Sequence, residues 1–63
     1  MLRNLLPNQM ENLYRIEEYT TTGWGLIEQD AVKLPRHIAE EKLNRLMAMG
    51  HNPNYLRVVV DNA

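Results

Sequence analysis

With 63 residues, eight acidic and seven basic side chains and a formal net charge of −1, the chain has no long-range attraction for nucleic acid or anionic lipid. It has room for one thin core that buries roughly 60% of the surface its unfolded form exposes. The absence of cysteine excludes a disulfide framework and a thiolate zinc site, and two histidines are a poor donor set, so neither metal nor cofactor is expected.

No apolar run approaches the ~20 residues of a membrane span, and Met1-Leu2-Arg3-Asn4-Leu5-Leu6-Pro7 lacks the apolar centre of a secretory signal. A soluble, cytoplasmic protein is the expectation. Leu2, Leu5 and Leu6 stand at helical spacing, but Pro7 and the polar Asn8-Gln9 follow at once. Residues 1–11 therefore read as a flexible N-terminal arm before a single domain over residues 12–61, with docking of these leucines on the domain as the alternative.

Leu13 to Thr20 is rich in aromatic and β-branched residues, and Trp24 to Glu28 resumes after Thr21-Thr22-Gly23. This predicts a hairpin. A three-residue loop with Gly23 in the left-handed conformation places Tyr14 and Ile16 on the same face as Trp24 and Leu26, since each one-residue slip turns a strand's side chains over.

From Pro35 to Met49, Ala39, Leu43, Leu46 and Met47 recur at three- and four-residue intervals, with Ile38 beside them and charged residues between. This predicts an amphipathic helix, opened by Pro35 and stopped by Gly50 and Pro53. Tyr55 to Val60 reads as a third strand. The fold class is therefore α+β, a β-β-α-β unit. Its three antiparallel strands stand in the order 2-1-3, and the helix packs on one face only.

The string from Tyr14 to Trp24, with Asn52-Pro53-Asn54-Tyr55-Leu56-Arg57-Val58 after the helix, resembles a group of short uncharacterised proteins of phages infecting marine cyanobacteria. The resemblance spans most of Tyr14 to Val58 and implies an accessory protein expressed in the cytoplasm of a bacterial host. It carries over no catalytic residue or cofactor. The chain departs from that group at Leu34-Pro35-Arg36-His37, where the group begins its helix with a Thr cap and acidic residues.

One helix shields one side of a sheet, so the side left over is the first candidate for function. The predicted hairpin parity leaves Tyr19, Ile27, Tyr55 and Val59 on the uncovered face as apolar anchors, with Arg15, Glu17 and Arg57 setting register. Aromatics and arginine are enriched at interface centres. A non-catalytic module binding itself or a host protein is the leading expectation, through this face or through an edge strand such as Val58-Val59-Val60, and a homodimer is included. Stacking of single-stranded nucleic acid on the same aromatics is the alternative, disfavoured by the charge balance.

Lys33, Arg36 and His37 cluster near the helix start, where free backbone N–H groups attract anions, which marks a possible anion site against the plainer reading of solvated cations. His37 and Glu41 are one helical turn apart, too few ligands for a metal. Thr20-Thr21-Thr22 has no His near it in sequence, and no Gly-rich phosphate loop is present, so no enzyme is expected.

Overall fold

The computed structural model describes residues 12–62; the arm expected over residues 1–11 lies outside them. Three strands, β1 (Tyr14–Thr20), β2 (Gly23–Leu26) and β3 (Leu56–Val60), form an antiparallel sheet in the order β2-β1-β3, and one helix, α1 (Arg36–Ala48), lies between β2 and β3 in the chain. The α+β class and the strand order follow the reading of the sequence.

The helix forms where apolar residues keep three- and four-residue spacing. Ala39 and Leu46 are buried along its inner face, and Leu43 and Met47 are packed beside them. Gly50, at φ +105, ends it in the left-handed region, and the His51 N–H returns to the Leu46 carbonyl at 3.1 Å. The core of the molecule is the contact of this face with the centre of the sheet. Ile16, fully buried, meets Leu46, Leu56 and Ala31, with Ile27 and Leu34 at its margin.

The long connection between β2 and α1 completes the sheet rather than looping free of it. Ile16 N–H bonds the Ala31 carbonyl at 3.1 Å, and Tyr14 and Leu34 exchange two backbone bonds of 2.8 Å. β1 is thus flanked along its whole length, by β2 at one end and by residues 31–34 at the other. Lys42 Nζ reaches Glu28 Oε1 at 2.7 Å and fastens α1 to this connection.

The hairpin departs from the expected geometry. Thr20 pairs with Gly23 and Tyr19 with Trp24, so the loop is the two residues Thr21-Thr22 and Gly23 already belongs to β2. Gly23 does carry the positive φ, +106. The turn is closed by the Thr20 hydroxyl, which accepts from the Thr22 N–H at 3.2 Å and donates to the Gly23 carbonyl at 3.0 Å. This local hydroxyl bonding accounts for the threonine run.

One residue fewer in the loop turns all of β2 over. Trp24 and Leu26 lie on the face away from the helix, not with Tyr14 and Ile16 as expected. Ile27, expected on the uncovered face, instead packs against the core cluster. On the helix side β2 offers only Gly23 and Gly25, which leaves room across the pair for Glu18, opposite Gly25.

Candidate functional site

Among the described residues, nothing covers the sheet face opposite α1. Register places Arg15, Glu17 and Tyr19 from β1, Trp24 and Leu26 from β2, and Arg57 and Val59 from β3 on this side. Tyr55 joins them from the 3-10 turn (Pro53–Tyr55) that leads into β3. Six of the seven anchor and register residues expected from the sequence are brought together here. Ile27 is the exception, and Trp24 and Leu26 take the ground it was expected to fill.

The aromatic rings form a strip across β2 and β1 to the 3-10 turn that leads into β3. Tyr19 is central, its ring centroid 5.3 Å from Trp24 and 6.3 Å from Tyr55, both pairs tilted. Tyr19 is 52% exposed and Tyr55 55%, so the contacts orient the rings without removing them from solvent. The Arg57 guanidinium lies over the Trp24 ring at 4.3 Å from the centroid, a cation–π contact that fixes both side chains.

Beside the rings stands a charge-paired ladder built on one carboxylate. Glu17, with 9% of its side chain exposed, accepts from Arg15 Nε at 2.8 Å and from Arg57 Nε at 2.7 Å, one on each oxygen. These two bonds hold its carboxyl below the usual carboxylate range, the bond from Arg15 having the larger effect and burial working against both. The ladder continues to Asp61, whose Oδ1 lies 3.5 Å from Arg15 Nη1 and 3.3 Å from Lys33 Nζ.

Asp61 was not singled out from the sequence, and its role reaches further than the ion pairs. Its Oδ2 accepts from the Lys33 backbone N–H at 3.1 Å, where Lys33 stands at φ +53. That backbone bond is the main reason its carboxyl is held below the usual range, the Lys33 and Arg15 charges adding to it. Asn62 completes the clasp, its amide donating to Asn12 Oδ1 at 2.8 Å and its carbonyl oxygen accepting from the Leu13 N–H at 2.7 Å. The closing segment Asp61-Asn62 therefore ties the start of β1, the end of β3 and the left-handed turn at Lys33 together.

The cations expected to form an anion site are placed differently from one another. Lys33 turns toward Asp61, Arg36 pairs with Glu40 one turn along the helix at 3.4 Å, and His37 is exposed. Neither Lys33 nor Arg36 is left to neutralise a bound anion without giving up a carboxylate. Among the described residues no group of three His, Asp or Glu side chains is gathered for a metal ion, and no helix is long and apolar enough to cross a membrane.

Comparison of the chain with protein-family models, curated proteins and solved structures gives no significant match.

Proposed function

We propose that the chain is a non-catalytic protein-interaction module whose docking surface is the uncovered face of the sheet. The observation that carries this reading is the distribution of side chains in β2. Its residues are Gly-Trp-Gly-Leu, so every side chain it has points away from the helix and into the strip of Tyr19 and Tyr55. A strand serving only the core would place its apolar groups on the other side. Large half-exposed aromatics, held in place by neighbours and bordered by an arginine–carboxylate ladder, have the composition of an interface centre with a polar rim.

The charge pairing favours a protein over a nucleic acid as the occupant. Arg15 and Arg57 are both engaged by Glu17 at 2.7–2.8 Å, so their charge is already partly neutralised and attracts a phosphate less. The second reading, stacking of single-stranded bases, is favoured by the row of exposed rings on an open antiparallel sheet. The resemblance to phage proteins fits an accessory protein that acts on itself or on a host protein in the host cytoplasm.

Replacing Tyr19 and Tyr55 together by Ser tests the reading. Both rings are more than half exposed, so the folded state is expected to lose less than ~1 kcal/mol per site, while a partner held by this face loses at least ~2 kcal/mol of binding. Stability is followed by urea unfolding, and partner retention by comparing the double variant with the parent in pull-downs from a bacterial host. Equal retention of every partner contradicts the proposal. Titration with a labelled oligonucleotide at two salt concentrations separates the rival, because phosphate contacts weaken steeply with salt.

A further inference from the structure

We propose that two copies of this chain join by antiparallel pairing of their β3 edges, in the register that sets Val59 opposite Val59 of the second copy. The inference does not depend on what docks on the sheet face, although Arg57 and Val59 belong to both surfaces, and it rests on three features of β3.

The first is an open backbone edge. Asp61 N–H bonds the Leu13 carbonyl at 2.7 Å, whereas Tyr14 and Ile16 direct their N–H groups away from β3, to Leu34 and Ala31. In an antiparallel ladder such bonds alternate, so Arg57, Val59 and Asp61 turn their backbone groups toward β1 while Val58 and Val60 turn theirs outward. Among the described residues, the one contact at these outward groups is Arg15 Nη1 at 3.4 Å from the Val60 carbonyl, a long bond that a backbone N–H at about 2.9 Å replaces. Neither Pro nor Lys stands in β3 to block strand addition.

The second is unshielded apolar surface on the same strand. Val58 and Val60 point to the helix side, yet they are 39% and 47% exposed, because α1 packs over β1 and the Leu56 end of β3 and leaves the rest of β3 uncovered. An open groove of about 290 Å³ runs there, with Tyr14, Ala39, Leu43 and Val58 along it.

The third feature selects the register. Arg57-Val58-Val59-Val60-Asp61 begins with a cation and ends with an anion, so a copy laid antiparallel sets Arg57 against Asp61 at both ends. Val58 then meets Val60 on the helix side, and these outward residues exchange four backbone hydrogen bonds across the two-fold axis. Sliding the copy so that Arg57 meets Arg57 puts like charges directly opposite, which is destabilising, whereas opposite charges in that position are favourable. Arg57 keeps Glu17 on its Nε and stays over the Trp24 ring, so the opposed charges bias the register without a direct bond between them. The product is a six-stranded sheet with a closed two-fold interface and continuous aromatic faces. A contact of one short strand falls below the ~1,200 Å² of standard stable interfaces, so the dimer is reversible.

The test uses the full chain. Sedimentation equilibrium from ~10 μM to ~1 mM is expected to show mass rising toward twice the 7.4 kDa of one chain. The Val58 and Val60 amides should become slower to exchange with hydrogen as concentration rises, while those of Arg57 and Val59 are slow throughout. Val60→Lys is expected to weaken the dimer at least tenfold (about 1.4 kcal/mol) and to leave the fold intact.

The chain has no cysteine, so single thiols report register cleanly. The Val59 positions face each other at a Cα separation of ~4.5 Å, within disulfide range, and Val59→Cys should cross-link at least ~10-fold faster than Val58→Cys or Arg57→Cys. A mass of one chain throughout the range, or cross-linking no faster at Val59 than at its neighbours, overturns the proposal. The Tyr19→Ser, Tyr55→Ser double variant retains the dimer, which separates this result from the fate of the face.

Discussion

Ile16→Ala is expected to unfold much of the population at ambient temperature. Ile16 has no exposed surface and is the one large side chain, among the described residues, that is wholly buried; Leu46 from α1 and Leu56 from β3 close on it. Removing its outer carbons leaves a cavity under α1, at a cost of about 2–5 kcal/mol. A chain of 63 residues has roughly 3–9 kcal/mol of stability in total, so the loss consumes most of it. Urea unfolding followed by far-ultraviolet circular dichroism is expected to show a lowered midpoint or no folded baseline. Val58→Ala, on a half-exposed position of the same sheet face, should cost less than ~1 kcal/mol and serves as the control.

The second large effect lies on the opposite face, at Glu17. Glu17→Gln replaces a carboxylate that accepts two guanidinium bonds with an amide that offers one oxygen and turns N–H groups toward the other arginine. The expected loss is about 1–2 kcal/mol, at or below the lower end of the range for bonds to charged groups, because Arg57 is half exposed and solvent screens it.

The substitution also alters the response to acid. Glu17 and Asp61 both have depressed carboxyl pKa values when folded, so in the acid range the unfolded chain binds protons that the folded one does not. Their stabilisation is complete above the usual carboxylate range of about 4 and is lost as pH falls through the depressed folded values. The parent chain is therefore expected to lose stability as pH falls below ~4, and Glu17→Gln to lose less over the same interval. Urea midpoints measured from pH ~7 to ~2 check this; parallel curves for parent and variant contradict the role assigned to Glu17.

The helix and the three strands are legible in the sequence because each is a local pattern. Ala39, Leu43, Leu46 and Met47 keep helical spacing, Pro35 and Gly50 bracket them, and the strands carry their β-branched and aromatic residues in short runs. The hairpin face is a longer-range matter, decided by whether one residue belongs to a loop or to a strand. Gly23 has the positive φ that a loop residue was expected to have, yet it pairs with Thr20, and that single step exchanges Trp24 and Leu26 for Ile27 on the open side.

The Gly-Trp-Gly-Leu alternation was the available signal. Two residues without side chains at every second position mark the side on which β2 has nothing to bury. The pairing of Ala31 and Leu34 with β1, and the clasp formed by Asp61 and Asn62, left no such trace. Their partners are distant in sequence, and nothing in the residue types at 31, 34, 61 and 62 names the strand they meet.

Accessibility of the single tryptophan tests most directly whether the aromatic face stands open. Trp24 is 38% exposed beneath the Arg57 guanidinium, and no other indole complicates its fluorescence. In the free, folded chain its emission is expected to be quenched by iodide, an anion drawn toward Arg57, and adding a bound partner should protect it. A blue-shifted emission that iodide leaves unchanged in the free chain would mean that this side of the sheet is already covered, and would contradict the account.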